Sequence, residues 1–154
     1  ANGDMPPTGS LSQSDIDLIA QWIDEGALET PAVDSENLFF SEYIEGSSNN
    51  KVLEIYNPTG VAVDLSNYSV KHSRNGAGWG MYDSGTEYPE FTYQLTGTLA
   101  DGEVYVLAAD AASAVFLAQA DVELSYPSVC HFNGDDAVGL FNNDVLIIKK
   151  WSIK

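Results

Sequence analysis

From residue 38 to residue 148 the apolar residues come in short runs, and each run is broken by turn-forming residues. This pattern constrains the fold more than any other feature of the chain. Runs rich in β-branched and aromatic residues span 38–44, 51–57, 68–72, 91–95, 103–107, 136–141 and 144–148. Val61, Val63 and Leu65 alternate in the same manner. In 51–57, Glu54 lies between Leu53 and Ile55, so on a strand its side chain points away from theirs. Gly, Ser, Asn and Pro fill the gaps at 46–50 and 58–60, and Asn142-Asn143 suits a tight hairpin turn. Residues 73–90 predict a long decorated loop, with or without a short strand inside it, and 110–119 a short helix or turn. Many short strands at this spacing predict an all-β sandwich or barrel.

Only the amino-terminal end departs from this pattern. Ile16, Ile19, Ala20 and Ile23 recur at helical spacing, with Leu18 and Trp22 widening the stripe. Ser12 or Ser14 can cap that helix, Asp15 and Asp17 suit its positive end, and Gly26 is a natural stop. Residues 28–37 carry Pro31, small residues and acids without periodicity, and read as a linker. The expected organisation is a helical segment at 1–27, a linker at 28–37 and a β-domain at 38–154.

Charge narrows the partners. Six basic and 23 acidic residues give a formal charge of −17. Phosphate binding needs clustered Lys and Arg. Here Lys71 and Arg74 are scattered and Lys149, Lys150 and Lys154 sit at the end, so nucleic acid and anionic lipid are excluded as partners. No run approaches the roughly 18–20 apolar residues of a membrane helix. The single Cys130 excludes an internal disulfide. Beginning at Ala1 and without a signal peptide, the sequence reads as a processed product or part of a longer chain.

Four blocks carry a family resemblance: LFFSEYIEGSSNNKVLEIYN at 38–57, VDLSNY at 63–68, LTGTLADGEVYVLA at 95–108 and FNGDDAVGL at 132–140. Residues 38–148 resemble the lamin tail domain family in its secreted bacterial form. The resemblance implies an immunoglobulin-like β-sandwich. It also implies a non-catalytic module attached to a larger protein, in bacteria often an extracellular nuclease or another secreted enzyme. The location expected from it is secreted, extracellular or periplasmic. Its partner would be a protein, a cell surface or a neighbouring domain. Lys149 to Lys154 depart from the polar, Gly-rich continuation usual in the family.

Chemistry is sparse. Glu42, Glu45, Asp83, Glu87, Asp110, Asp121, Asp135 and Asp136 fall on loops and strand ends. Calcium takes six to eight oxygen ligands from carboxylates, amides and carbonyls. Asn133, Asp135 and Asp136 offer those types within one turn, which makes calcium the metal to test, although no EF-hand string is present. His72 and His131 are the only histidines. Cys130 and His131 are neighbours, and on a strand they would face opposite ways. A catalytic pair would come from separate segments, so the chain reads as not an enzyme. Trp79, Tyr82 and Tyr88, with Phe91 and Tyr93 nearby, could stack on sugar rings or anchor a partner. The plainer reading is that they cover the edge of the core.

Residues 5–27, MPPTGSLSQSDIDLIAQWIDEGA, resemble the closing segment of a small c-type cytochrome. That resemblance implies a haem axial ligand at Met5, provided a haem domain lies upstream. The sequence has no Cys-x-x-Cys-His, so this chain alone would not hold haem covalently. Three functions follow. The first is a non-catalytic extracellular scaffold, adhesion or protein-interaction module, with calcium as its candidate ion. The second is the carboxyl-terminal part of a haem-containing electron-transfer protein. The third is a carbohydrate-binding module.

Overall fold

A computed structural model of the protein describes residues 12–24, 37–83 and 85–151. Met5 lies outside the described residues, as does the linker up to residue 36. The chain divides into two units, Ala1–Asp34 and Ser35–Lys154.

In the first unit α1 runs Gln13–Asp24. Ser12 caps it: the Asp15 backbone N–H donates to Ser12 Oγ at 3.2 Å. The Asp15 carboxylate returns the contact, accepting from the Ser12 hydroxyl at 2.6 Å and from its backbone N–H at 3.3 Å. Such a reciprocal box satisfies amides that a helix start leaves open.

The second unit is an all-β sandwich. Its first sheet orders the strands β1 (Phe39–Glu45), β2 (Lys51–Tyr56), β9 (Val104–Ala109) and β10 (Val122–Leu124) as β1-β2-β9-β10. The second sheet is built on β4 (Tyr68–Ser73) and β11 (Ala137–Asn142), with β12 (Val145–Trp151) outside β11. The short strands β5 (Met81–Asp83), β6 (Thr86–Glu87) and β7 (Thr92–Gln94) extend it beyond β4. A small ladder joins β3 (Val63–Asp64) to β8 (Thr98–Leu99). The only other helix among the described residues with α geometry is α2, Ala114–Leu117.

The core lies between the sheets. Leu53, Ile55 and Leu107 from one face meet Val70, Val138 and Leu140 from the other, and all are fully buried. Glu54, between two residues at 0% exposure, points outward as its alternation requires. At the end of β2 the chain turns on Asn57, which is also 0% exposed. Its Nδ2 donates to the Val61 and Leu99 carbonyls at 2.8 and 2.9 Å, and its Oδ1 accepts from the Thr59 N–H and hydroxyl. One side chain thus satisfies the backbone of two loops in the interior.

Several local expectations are corrected. Alternation at Val61, Val63 and Leu65 does not extend a strand: Leu65 enters a 3-10 turn capped by the Asp64 carboxylate. Phe91 closes another such turn, Pro89–Phe91, ahead of β7. The 73–90 loop contains β5 and β6, and β10 was not foreseen. The last hairpin turns one residue later than Asn142-Asn143, with positive φ at Asn143 and Asp144 (47° and 62°). Small polar residues tolerate that left-handed pair. Cys130 and His131 lie in a turn region, not on a strand.

Candidate interaction surface

The groups most able to do chemistry are inside. His72 lies on the inward face of β4 with Val70 and is 1% exposed, as is Asp136, which precedes β11. His72 Nε2 sits 3.2 Å from Asp136 Oδ2, but not aligned as a good hydrogen bond. His72 Nδ1 has no hydrogen-bond partner among the described residues, and the ring packs on Phe91 at 4.5 Å. The Asp136 carboxylate is well supplied with donors: Oδ1 accepts from the Asn75 N–H at 2.8 Å, and Oδ2 from the Asn133 N–H at 2.8 Å and Nδ2 at 3.2 Å. Burial alone would raise the Asp136 pKa. The His72 contact and the two backbone donors outweigh it and hold the carboxyl below its usual range.

Asn133, Asp135 and Asp136 fall in one turn, but their side chains differ in exposure. Asp136 turns inward while Asn133 and Asp135 stay exposed. Among the described residues no three His, Cys, Asp or Glu gather closely enough to share a metal. Nearby, the Glu45 carboxylate accepts from the Gly134 N–H at 3.0 Å.

Cys130 is fully buried in the core, and burial pushes its thiol pKa up. His131 Nδ1 lies 2.7 Å from Ser128 Oγ, which itself accepts from the Cys130 N–H at 3.3 Å. The imidazole tautomer sets which of Ser128 Oγ and His131 Nδ1 donates in that contact. Burial, outweighing the nearby Asp110 charge and helped by His72, lowers the His131 pKa. Ser128 is buried in a three-residue turn contact, which makes the pair a loop brace rather than an exposed nucleophile.

The loop aromatics divide. Trp79 meets Phe141 edge-on at 5.4 Å and lies over Gly139, where a Cβ would come within 3.0 Å of the indole ring. Tyr82, 40% exposed, stacks under Arg74 at 4.3 Å and beside Tyr88 and Phe91. Trp79 and Tyr88 share a shallow hollow of about 320 Å³ with Lys71, Glu87 and Pro89; Tyr82 does not line it. Trp79 thus covers the outer face of the second sheet, on the side of Gly139 and Phe141, and not the edge of the core.

A second, open hollow lies on the outer face of the first sheet. It holds about 510 Å³. Its floor is apolar, from Ile44, Val52, Val104 and Val106, and Phe116 of α2 closes one side. The Ser113 N–H pins α2 there through a 2.8 Å bond to Asn50 Oδ1. Glu42, Glu54, Glu103 and Asp121 rim the hollow, and among the described residues no Lys or Arg lines it. A bulge between Phe40 and Glu42 shifts the register so that Glu42 pairs directly with Glu54. Asp121 is held by its Oδ2, which accepts the Val106 N–H at 2.8 Å.

The family model of the lamin tail domain matches residues 31–153. The chain belongs to the lamin tail domain family. A comparison with curated proteins finds no match. The lamin tail domain here has the immunoglobulin-like sandwich expected from the four sequence blocks, and its match runs past the Lys149-Lys150 departure. Such a domain is compatible with an interaction module. Among the described residues no helix is long and apolar enough to cross a membrane.

The sequence missed two features. The His72–Asp136 pair had a signal: His72 shares the inward parity of Tyr68 and Val70, and Asp136 opens an apolar run. The acid-rimmed groove had none beyond the outward parity of Glu54, because Glu42, Glu54, Glu103 and Asp121 come from four separate segments.

Proposed function

We propose that this lamin tail domain is a non-catalytic, extracellular protein-interaction module of a secreted bacterial protein. One observation carries the reading. His72, Asp136 and Cys130 are interior and structural, while the open feature is an apolar groove on an exposed sheet face. Exposed apolar hollows ringed by polar groups are a usual form of docking site. The test is a photo-crosslinking residue at position 104 of the natural polypeptide in its source cell, beside one at position 90. A discrete crosslinked polypeptide from position 104 alone supports the module. No crosslink, or equal crosslinking from both positions, overturns it. Labelling of the domain by a membrane-impermeant reagent on intact cells checks the location.

A second reading, sugar binding, is favoured by the hollow between Trp79 and Tyr88, whose rings offer stacking faces beside Lys71 and Glu87. Glycan binding lost in Trp79→Ala would support it, and the absence of binding to a glycan panel would sink it.

A further inference from the structure

We infer that the groove on the outer face of β1, β2 and β9 binds a basic amphipathic polypeptide segment, one that sets an apolar side chain between lysines or arginines. This rests on the interaction-module reading and names the partner's chemistry.

The argument starts from charge placement. Glu42 and Glu54 are direct cross-strand partners and line the same hollow. Like charges directly opposite on a sheet destabilise it. Glu54 is partly relieved by the Ser41 hydroxyl, which donates to its Oε1 at 2.6 Å. Among the described residues no cation lining the groove relieves either carboxylate, and Glu103 and Asp121 add to the same field. Carboxylates on apolar walls focus potential, so the groove attracts cations more strongly than their separate charges would.

A free metal ion is a poor fit. The rim carboxylates belong to separate positions around the hollow, and no three acidic, His or Cys side chains among the described residues converge on one point. Separated anions match separated cations carried on one chain. The apolar floor of Ile44, Val52, Val104 and Val106 then needs an apolar side chain to cover it. A second copy of this chain is the weaker occupant, because two chains of formal charge −17 repel. An apolar centre with a charged rim is also the usual anatomy of an interface in which the rim steers encounter and the centre supplies affinity.

The probe is a short fluorescent peptide alternating lysine with leucine, titrated into the full chain and followed by anisotropy. The matched peptide with glutamate for lysine is the control. We expect the lysine peptide to bind, and Glu42→Gln with Glu54→Gln to weaken it about tenfold or more. Asp83→Asn with Glu90→Gln removes the same charge from the end of β5 and the Pro89–Phe91 turn, outside the groove, and should leave affinity within about twofold. Val104→Ser keeps every charge and should also weaken binding. Equal loss in both double variants, or no loss in Val104→Ser, overturns the groove as the site and leaves only attraction by net charge. Self-association of the wild-type chain abolished by Val104→Ser would assign the groove to a second copy and overturn the proposal as well. If the peptide fails but position 104 still crosslinks a polypeptide in cells, the basic-segment identity falls and the interaction module stands. If both fail, both fall.

Discussion

His72 on β4 and Asp136 at the start of β11 meet within the interior, Nε2 to Oδ2 at 3.2 Å, each 1% exposed. The contact ties the end of one strand to the loop that feeds its neighbour. Asp136 also receives the Asn75 and Asn133 backbone N–H groups, so a single carboxylate holds three segments. Asp136→Ala leaves those buried donors without an acceptor. We expect a loss of about 3–5 kcal/mol, the usual range for breaking a buried charged network from one side. Urea unfolding followed by tryptophan fluorescence measures it, and a loss below about 1 kcal/mol would remove Asp136 from its structural role.

Acid should weaken the fold in two stages. His131 and Asp136 both have folded pKa values below their ordinary ones. The unfolded chain therefore takes up each proton first as pH falls, and stability is lost on the acid side. The His131 contribution is present above about pH 6.5 and fades below it; the Asp136 contribution is present above about pH 4 and fades below that. Exposed Asp144, lowered by its contact with Lys71, acts in the same direction weakly. Unfolding midpoints measured from neutral to acid pH should fall, and His131→Asn should remove the first part of the slope. A profile unchanged by His131→Asn contradicts this assignment.

Asn57 satisfies the carbonyls of Val61 and Leu99 and the N–H of Thr59 from a site with no solvent access. Asn57→Ala removes every one of these partners. A cost of about 1–3 kcal/mol is expected, chiefly from the buried Leu99 carbonyl, because Val61 is 64% exposed and its carbonyl keeps the Thr59 hydroxyl. Asn57→Asp should be no better, because a carboxylate cannot donate to two carbonyls. Thermal melts of the two variants check both statements.

Glu42 and Glu54 make the opposite prediction. Glu42→Gln removes a like-charge pair without changing the side chain's shape, and should stabilise the domain by about 0.2–1 kcal/mol. The gain should shrink at high salt, where screening already weakens the repulsion. Destabilisation at low salt would show that the pair is not repulsive. A functional groove held at some cost in stability is the pattern that binding sites commonly show.

Excess calcium should leave the melting temperature unmoved. Both Asp136 oxygens already accept N–H donors, and an ion drawing on them would dismantle the His72 network. A calcium-dependent rise that is lost in Asp135→Asn would make the turn at 133–136 an ion site.

Pattern along the chain already showed the strand-rich character of 38–148, the outward direction of Glu54 and a serine cap at Ser12 or Ser14, of which the structure uses Ser12. These follow from period-two alternation and from hydrogen bonds within a few residues of one another. It also carried the family, through four ordered blocks. What it left open is long-range. His72 meets Asp136 across 64 positions of chain, and Glu42 meets Glu54 only because a bulge at Ser41 shifts β1 by a residue. Turn chemistry was misjudged at Leu65 and Phe91, where local side-chain and proline preferences overrode alternation. Local pattern specifies which face a residue takes on its own strand. Only the tertiary structure decides which strands become neighbours and in what register, because that choice is made by burying both faces of one core at once.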